Sequence, residues 1–242
     1  MKNRLIFLSL LLSLLLSLLL FSSLVLTGCS TGIPQHHPVV LNNLNTQIAL
    51  EQIDHYNQLI LEKADIVSTI TFNFRGRSLS ALGITELDGE NNSFSVAALS
   101  PMGMTLFKLK REKGKLISRY IMPKFGPEDI NKTADMINND IALVYFNRDV
   151  NVSKTAPVIA THEVTVHAQV NNQKYRYVFS GTPLKLIQKS MLENNSKIWS
   201  VDYYDYHKIG NKEIPFKIFF KNNKYGYSID IETKEIKNEL IR

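Results

Sequence analysis

The stretch VSTITFNFRGRSLSALGITELDG, residues 67–89, decides the fold class of this 242-residue chain. On both sides of Gly76, side chains of two kinds alternate with a period of two residues, the period at which a β-strand presents its two faces. The pair Asp88-Gly89 favours a tight hairpin turn, because these residues tolerate the backbone angles that such turns need. The stretch therefore predicts two antiparallel strands followed by a turn into a third.

Similar short alternating runs fill most of the remaining chain. Their spacing of about 8–12 residues is typical of antiparallel meanders, and their number predicts a sheet of roughly ten strands. The further candidate strands are residues 94–99, 105–110, 116–121, 164–170, 174–179, 198–206, 216–220 and 227–231.

One amphipathic helix, predicted at about residues 127–146, interrupts the strands. It begins with a proline and two acidic residues, which suit a first helical turn. Its apolar positions recur at intervals of three and four residues; they are Ile130, Ala134, Ile137, Ile141 and Val144. Residues 141–146 contain no charged side chain, so this end is predicted to be buried on most sides or to cover something apolar.

The N-terminus has the layout of an export signal. Lys2 and Arg4 precede an uncharged apolar run over residues 5–26,. The run is long enough to cross a bilayer as a helix, so the alternatives to a lipoprotein signal are an uncleaved anchor and a conventional cleavage. The sequence Leu26-Thr27-Gly28-Cys29 that follows resembles the lipobox of bacterial lipoproteins, in which the cysteine is lipidated and the preceding peptide is removed. We therefore expect a signal peptide at 1–28 and lipid attachment at Cys29.

The mature chain would then consist of a tether, residues 29–50, and one domain, residues 51–242. Removing Lys2 and Arg4 from the 28 basic residues leaves 26 against 22 acidic ones, a net charge of +4. The basic residues are scattered, which does not indicate a nucleic-acid partner. In enterobacterial lipoproteins an aspartate after the lipidated cysteine favours the inner membrane. Ser30 at this position resembles the default pattern, which implies an outer-membrane location with the lipid-anchored domain on the periplasmic face.

Candidate catalytic or metal-binding groups are weak. His162 and His167 are five residues apart, whereas a zinc-protease helix needs an interval of four, and in a strand an odd interval directs two side chains to opposite faces. Asp202 and Asp205 are three residues apart, so in a strand their carboxylates also point to opposite faces. The adjacent His36 and His37 lack a third residue that could complete a metal site. The sequence therefore predicts no enzyme activity, no metal site and no cofactor.

The turn Ser100-Pro101-Met102-Gly103 is more informative. Proline suits the second position of a β-turn and glycine the fourth, which places Met102 near the tip. A flexible apolar side chain at a tip can contact a lipid or an acyl chain. The alternative is that Met102 folds back onto the edge of the sheet.

Three segments together resemble the LolA/LolB-like lipoproteins, and most closely an uncharacterised branch of that superfamily whose domain has no assigned function. They are LSPMGMTLF at 99–107, DIALVYFN at 140–147 and YGYSIDI at 225–231. The second segment departs from the branch pattern, because Phe146 and Asn147 stand where that branch typically has tryptophan and proline.

The resemblance implies a half-open antiparallel β-barrel with a helical lid or plug, and Ile137, Ile141 and Val144 would lie on that lid. The outer-membrane receptor of the superfamily accepts lipoproteins through their acyl chains and has a hydrophobic residue on a protruding loop, to which Met102 would correspond. We therefore expect a non-enzymatic protein that binds or transfers an acyl-bearing lipid or lipoprotein, with a periplasmic carrier protein as a possible partner. The alternative is a structural or assembly lipoprotein that binds a protein in the cell envelope.

Overall fold

The structure is a computed structural model that describes residues 36–123, 129–151, 156–170, 172–194 and 196–237. In these residues the chain forms two helices, α1 (Thr46–Leu59) and α2 (Ile130–Tyr145), and twelve strands. The strands are β1 (Lys63–Phe74), β2 (Arg77–Asp88), β3 (Ser93–Leu99), β4 (Thr105–Glu112), β5 (Lys115–Ile121), β6 (Val158–Ile159), β7 (Val164–Val170), β8 (Gln173–Ser180), β9 (Lys185–Glu193), β10 (Ser196–Ile209), β11 (Lys212–Asn222) and β12 (Tyr227–Lys237).

All twelve strands belong to one antiparallel sheet, in the order β5-β4-β3-β2-β1-β12-β11-β10-β9-β8-β7-β6. Within β1–β5 and within β6–β12 each strand pairs with the next one along the chain, and the pairing of β1 with β12 joins these two meanders. Since β5 and β6 form the two ends of this order, the sheet is not closed. The chain passes from one edge to the other through α2.

Contacts of α2 show how strongly the sheet is curved. Arg111 on β4 donates to Asn138 in α2 over 3.4 Å, and Lys189 on β9 donates to the carbonyl oxygen of Leu143 over 2.6 Å. Along the helix these contacts are five residues apart, or about 7.5 Å. Along the sheet β4 and β9 are seven strand spacings apart, or about 34 Å. The sheet must therefore curl around α2, which defines a concave face.

This architecture confirms the predicted fold class, a mainly β, half-open antiparallel barrel with a helix across its interior. Helix α2 begins at Ile130 because the Asp129 carboxylate accepts hydrogen bonds from the backbone N–H groups of Asn131 and Lys132,. Part of its predicted start, residues 127–128, lies outside the described residues.

Helix α1 was not predicted. The Asn45 side chain caps its first turn by accepting from the backbone N–H of Ile48 at 2.9 Å,. Ala49, Ile53 and Tyr56 follow at intervals of four and three residues and are buried. The last residues of the predicted tether, 46–50, therefore lie in a helix that packs against β9 and β11.

Earlier residues of the predicted tether also contact the domain, and Leu41 and Leu44 pack against its core. The His36 ring stacks on Tyr204, with centroids 4.2 Å apart, and the Leu41 backbone N–H donates to the Thr161 carbonyl. The predicted signal peptide 1–28, Cys29 and the tether up to residue 35 lie outside the described residues. Within the described ranges, no helix has the length and apolar character needed to cross a bilayer.

Candidate functional site: the concave face beneath helix α2

Apolar side chains on the concave face differ in burial from one region to another. Tyr203, Phe179 and Phe220 are fully buried between the sheet and the helices. A second group, on β1, β2 and β12, is only partly buried or exposed, and we name it the mouth patch: Ile70, Phe72, Phe74, Leu79, Ala81 and Ile229. The concave face is therefore closely packed in one region and accessible in another.

Strand register places the mouth patch on the concave face. Phe72 pairs with Leu79 on one side and with Ile229 on the other, so the three side chains form one cross-strand row,. The Phe72 ring also lies 5.3 Å from the ring of Tyr227, whose hydroxyl reaches α2. Since side chains two residues apart share a face, Ile70 and Phe74 lie on the same side as Phe72.

The predicted lid residues lie on the face of α2 that is turned towards the sheet. Val144 and Ala134 are buried on the two flanks of this face. Ile137 and Ile141 project between these flanks at 3.6 residues per turn, yet they are only partly buried. The centre of the inward face of α2 therefore keeps accessible apolar surface, as the mouth patch does.

Lys189 holds the C-terminal end of α2. Its Nζ donates to the carbonyl oxygens of Leu143 at 2.6 Å, Phe146 at 2.8 Å and Asn147 at 3.5 Å. These carbonyls lack partners within the helix and carry the negative end of the helix dipole, so a buried cation stabilises them. Burial lowers the pKa of Lys189 to about 7, with a further lowering from nearby Arg148.

Two more side chains complete what we name the C-terminal clamp, formed by Lys189, Tyr203 and Arg148. The Tyr203 hydroxyl donates to the carbonyl of Val144 at 2.9 Å. Arg148 donates to the carbonyls of Tyr145 at 3.1 Å and Leu61 at 3.0 Å. The helix end is thereby fixed to β9, β10 and the segment before β1.

A different contact, the latch, joins the middle of α2 to β12. The Tyr227 hydroxyl donates to the carboxyl group of Asp140 and accepts from the Asn222 side chain at 3.2 Å. All three residues are buried. Burial raises the pKa of Asp140 to about 7, although the hydrogen bond from Tyr227 opposes the rise. The latch therefore contains a carboxyl group that is poorly solvated and weakly acidic.

The other sequence candidates are not brought together. Asp202 accepts from Gln188, whereas Asp205 pairs with His207 at 3.0 Å. His162 precedes β7 in a turn. Within the described ranges, no group of three His, Cys, Asp or Glu side chains is placed to share a metal ion.

His167 lies in a groove on the convex face, opposite α2. The groove has a volume of about 440 Å³ and is lined by Val158, Thr165, His167, Arg176, Leu192 and Lys197. Two of its cations already have partners, because Arg176 pairs with Glu163 at 3.1 Å and Lys197 donates to Gln188 at 2.7 Å.

Met102 does not fold back onto the sheet. The turn closes through a hydrogen bond from the Gly103 N–H to the Ser100 carbonyl at 2.8 Å, and Gly103 has a φ of +78°, which glycine adopts readily,. The Met102 side chain is 82% exposed, and Met104 beside it is also exposed. The structure thus presents an apolar side chain to solvent, while its contact with lipid or cargo stays a prediction.

Sequence reasoning identified the apolar stripe of α2 but missed the clamp and the latch, while the role of this stripe as a lid stays a prediction. Lys189 interrupts the apolar pattern of β9, which was therefore not predicted as a strand. Asp140 and Tyr227 each stand in a segment that carried the family resemblance, yet no local spacing relates residues 87 positions apart.

Solved structures with similar folds include three bacterial proteins. One, from Vibrio parahaemolyticus, is a domain named for outer membrane lipoprotein sorting (TM-score 0.51, 8% identity, covering 82% of this chain and 95% of that one). The second is a DUF1329 family protein from Desulfovibrio piger (TM-score 0.50, 9% identity, 81% and 94%). The third is a LolA superfamily protein from Nitrosomonas europaea (TM-score 0.50, 11% identity, 82% and 96%). These neighbours confirm the predicted LolA-like fold.

Sequence comparison gives the family directly. No curated protein sequence matches the chain. Residues 65–235, which run from the first strand to near the end of the last, match a family model described as a protein of unknown function. This match agrees with the predicted uncharacterised branch, and the chain belongs to the DUF3261 family.

Proposed function

We propose that this protein is a non-enzymatic lipoprotein that holds an acyl chain of a lipid or lipoprotein between the mouth patch and helix α2. The observation that carries the proposal is apolar surface left incompletely buried both on the concave face of the sheet and on the inward face of α2. Phe72, Leu79 and Ile229 supply one side, and Ile137 and Ile141 supply the other.

An acyl chain fits this surface because it needs only apolar contact. Each buried methylene contributes about 0.8 kcal/mol. Roughly ten methylenes would offset the cost of association, which is about 4–15 kcal/mol. Binding an acyl chain in this way requires no catalytic group. A LolA-like fold supports a binding or carrier role.

A long chain would require α2 to move, because the interior beyond the mouth patch is closely packed. The three side chains of the C-terminal clamp donate hydrogen bonds to carbonyls at one end of the helix. The middle of the helix is held by the Asp140–Tyr227 latch and by Arg111. We therefore infer that α2 pivots about the clamp when the latch breaks, and that this movement admits the cargo.

The proposed location is the periplasmic face of the outer membrane. Lipid on Cys29 would anchor the chain, and Met102 would contact the membrane or the cargo during transfer. A periplasmic carrier is the expected protein partner, because an acyl chain does not cross water unprotected.

The test uses residues 29–242 with Cys29→Ser, so that no lipid is attached. We expect native mass spectrometry to find acyl ligands and a fluorescent fatty acid to bind and be displaced by unlabelled fatty acid. No bound acyl ligand together with no displacement would overturn the proposal.

The alternative, a lipoprotein that binds a protein partner, is favoured by a different observation. Edge strand β5 is exposed along most of its length, including Ile117 and Tyr120. An exposed edge can accept a strand from another chain. This role predicts that the fatty-acid probe does not bind, whereas a partner crosslinks to β5 in cells.

A further inference from the structure

Two hairpin turns lie side by side at one end of the sheet. The β1–β2 turn spans residues 74–77 and the β11–β12 turn spans residues 223–226. The two turns lie at the same position along the strand direction, because Phe74 pairs both with Arg77 across the first turn and with Tyr227 just after the second. We name these two turns and the adjoining Lys221 the twin-turn surface.

Each turn presents an aromatic ring with a cation above it. The Arg75 guanidinium carbon lies 4.9 Å from the centroid of the Phe74 ring, and the Lys224 Nζ lies 5.6 Å from that of Tyr225. The two aromatic residues are 36% and 56% exposed. Large apolar rings are therefore held at the surface together with positive charge.

The charge of the twin-turn surface has one sign. Arg77 and Lys221 are also exposed, which gives four cations with Arg75 and Lys224. The segments 72–80 and 219–229 contain no aspartate or glutamate. A binding partner with negative charge and an apolar layer would satisfy both features.

We propose that the twin-turn surface docks on an anionic lipid bilayer, with the phosphates of the headgroups contacting the four cations and the two rings lying at the interface. Aromatic rings favour the interfacial region of a bilayer, and basic side chains are attracted to anionic headgroups. Phe74 also belongs to the mouth patch, so docking would bring the mouth patch close to the bilayer surface. This contact is separate from Met102 and needs no bound acyl chain.

The experiment places an environment-sensitive fluorophore in the full chain reconstituted into vesicles. Asn223→Cys, at an exposed position of the second turn, reports on the twin-turn surface and keeps both rings and all four cations. Glu90→Cys reports on the opposite end of the sheet. The parent chain, whose only cysteine is Cys29, gives the background label. In phosphatidylcholine vesicles that contain phosphatidylglycerol, we expect a blue shift and quenching by brominated lipid at position 223 but not at position 90.

Charge is tested with matched triple variants. Arg77→Gln, Lys221→Gln and Lys224→Gln together remove three cations from the surface and are expected to lower the ratio of docked to undocked protein roughly 100-fold. Lys108→Gln, Lys115→Gln and Lys208→Gln remove the same charge from exposed positions elsewhere and should leave quenching unchanged.

Three results would overturn the proposal: no quenching at position 223, equal quenching in pure phosphatidylcholine, or full quenching in the first triple variant. A blue shift without lipid quenching would assign the surface to contact with a second copy of the chain instead. Since the readout involves no acyl probe, its failure is distinct from a failure of the proposed cargo binding.

Discussion

The Nζ of Lys189 on strand β9 donates a hydrogen bond of 2.6 Å to the carbonyl oxygen of Leu143 in the last turn of helix α2. The same amine also reaches the carbonyl of Phe146. A buried lysine is costly unless its hydrogen-bonding groups are satisfied, and here it satisfies carbonyls that the helix itself leaves unpaired. The clamp thus determines where α2 crosses the concave face.

Replacing this lysine should destabilise the fold. Lys189→Met keeps the aliphatic volume but leaves the Leu143 and Phe146 carbonyls unpaired, which should lower the free energy of unfolding by about 2 kcal/mol. Urea denaturation measures the change. The exposed control Lys174→Met should stay within about 0.5 kcal/mol of the parent chain. Equal effects of the two substitutions would show that the hydrogen bonds of Lys189 contribute nothing to stability.

The latch predicts a specific pH dependence. The pKa of Asp140 is raised from 3.8 to about 7 in the folded protein, so between these values the folded state binds more protons than the unfolded state. Its contribution to stability is therefore fully present below pH 4 and is lost as the pH rises to about 7. The upper bound is about 4 kcal/mol, from about 1.4 kcal/mol per pH unit.

Denaturation at several pH values tests this dependence. Asp140→Asn should flatten the fall in stability between pH 4 and 7, because asparagine does not titrate. Asp135→Asn removes an exposed carboxylate from the same helix and should leave the fall intact. If both variants keep the parent profile, Asp140 is not the titrating group.

Helix α1 is predicted to be part of the folded domain. Ile53 is fully buried, whereas Ile48 on the same helix is exposed. Ile53→Ala should cost about 2–5 kcal/mol of unfolding free energy, while Ile48→Ala should cost less than about 1 kcal/mol. A small effect at both positions would mean that helix α1 does not pack into the folded domain.

Met102 should matter for membrane contact and not for folding. Since its side chain is 82% exposed, Met102→Glu should change the free energy of unfolding by less than about 0.5 kcal/mol. It should also weaken transfer of an acyl-bearing cargo to vesicles, because a carboxylate resists entry into lipid. A marked loss of thermal stability would show that the side chain is structural, and undiminished transfer would exclude the membrane role.

The sequence was sufficient for the elements whose side chains follow a regular period. The alternation on either side of Gly76 predicted β1 and β2, and the stripe from Ile130 to Val144 predicted α2. The sequence was insufficient where a tertiary contact places a polar residue at a position that the pattern reserves for an apolar one. Lys189 occupies such an inward position on β9, because the C-terminal end of α2 lies above it. Curvature could not be derived either, since it depends on contacts such as Arg111 with Asn138 between distant segments.

Local sequence patterns could not predict the mouth patch either. Leu79 and Leu82 lie on the same strand with similar neighbours in sequence, yet one faces the concave side and the other the convex side. Only the register of β2 with β1 and β3 separates them. Alternation alone assigns them to opposite faces without saying which face is the interior.

Leu79 and Leu82 allow the most direct test of the central claim, which is that the mouth patch binds an acyl chain. Leu79 is 38% exposed and Leu82 is 43% exposed, so replacing either with asparagine removes a comparable accessible apolar side chain. Titration with a fluorescent fatty acid should show roughly tenfold weaker binding for Leu79→Asn, from about 1.4 kcal/mol of lost apolar contact. Binding by Leu82→Asn should equal that of the parent chain. Unchanged binding in Leu79→Asn, or an equal loss in both variants, would contradict the account.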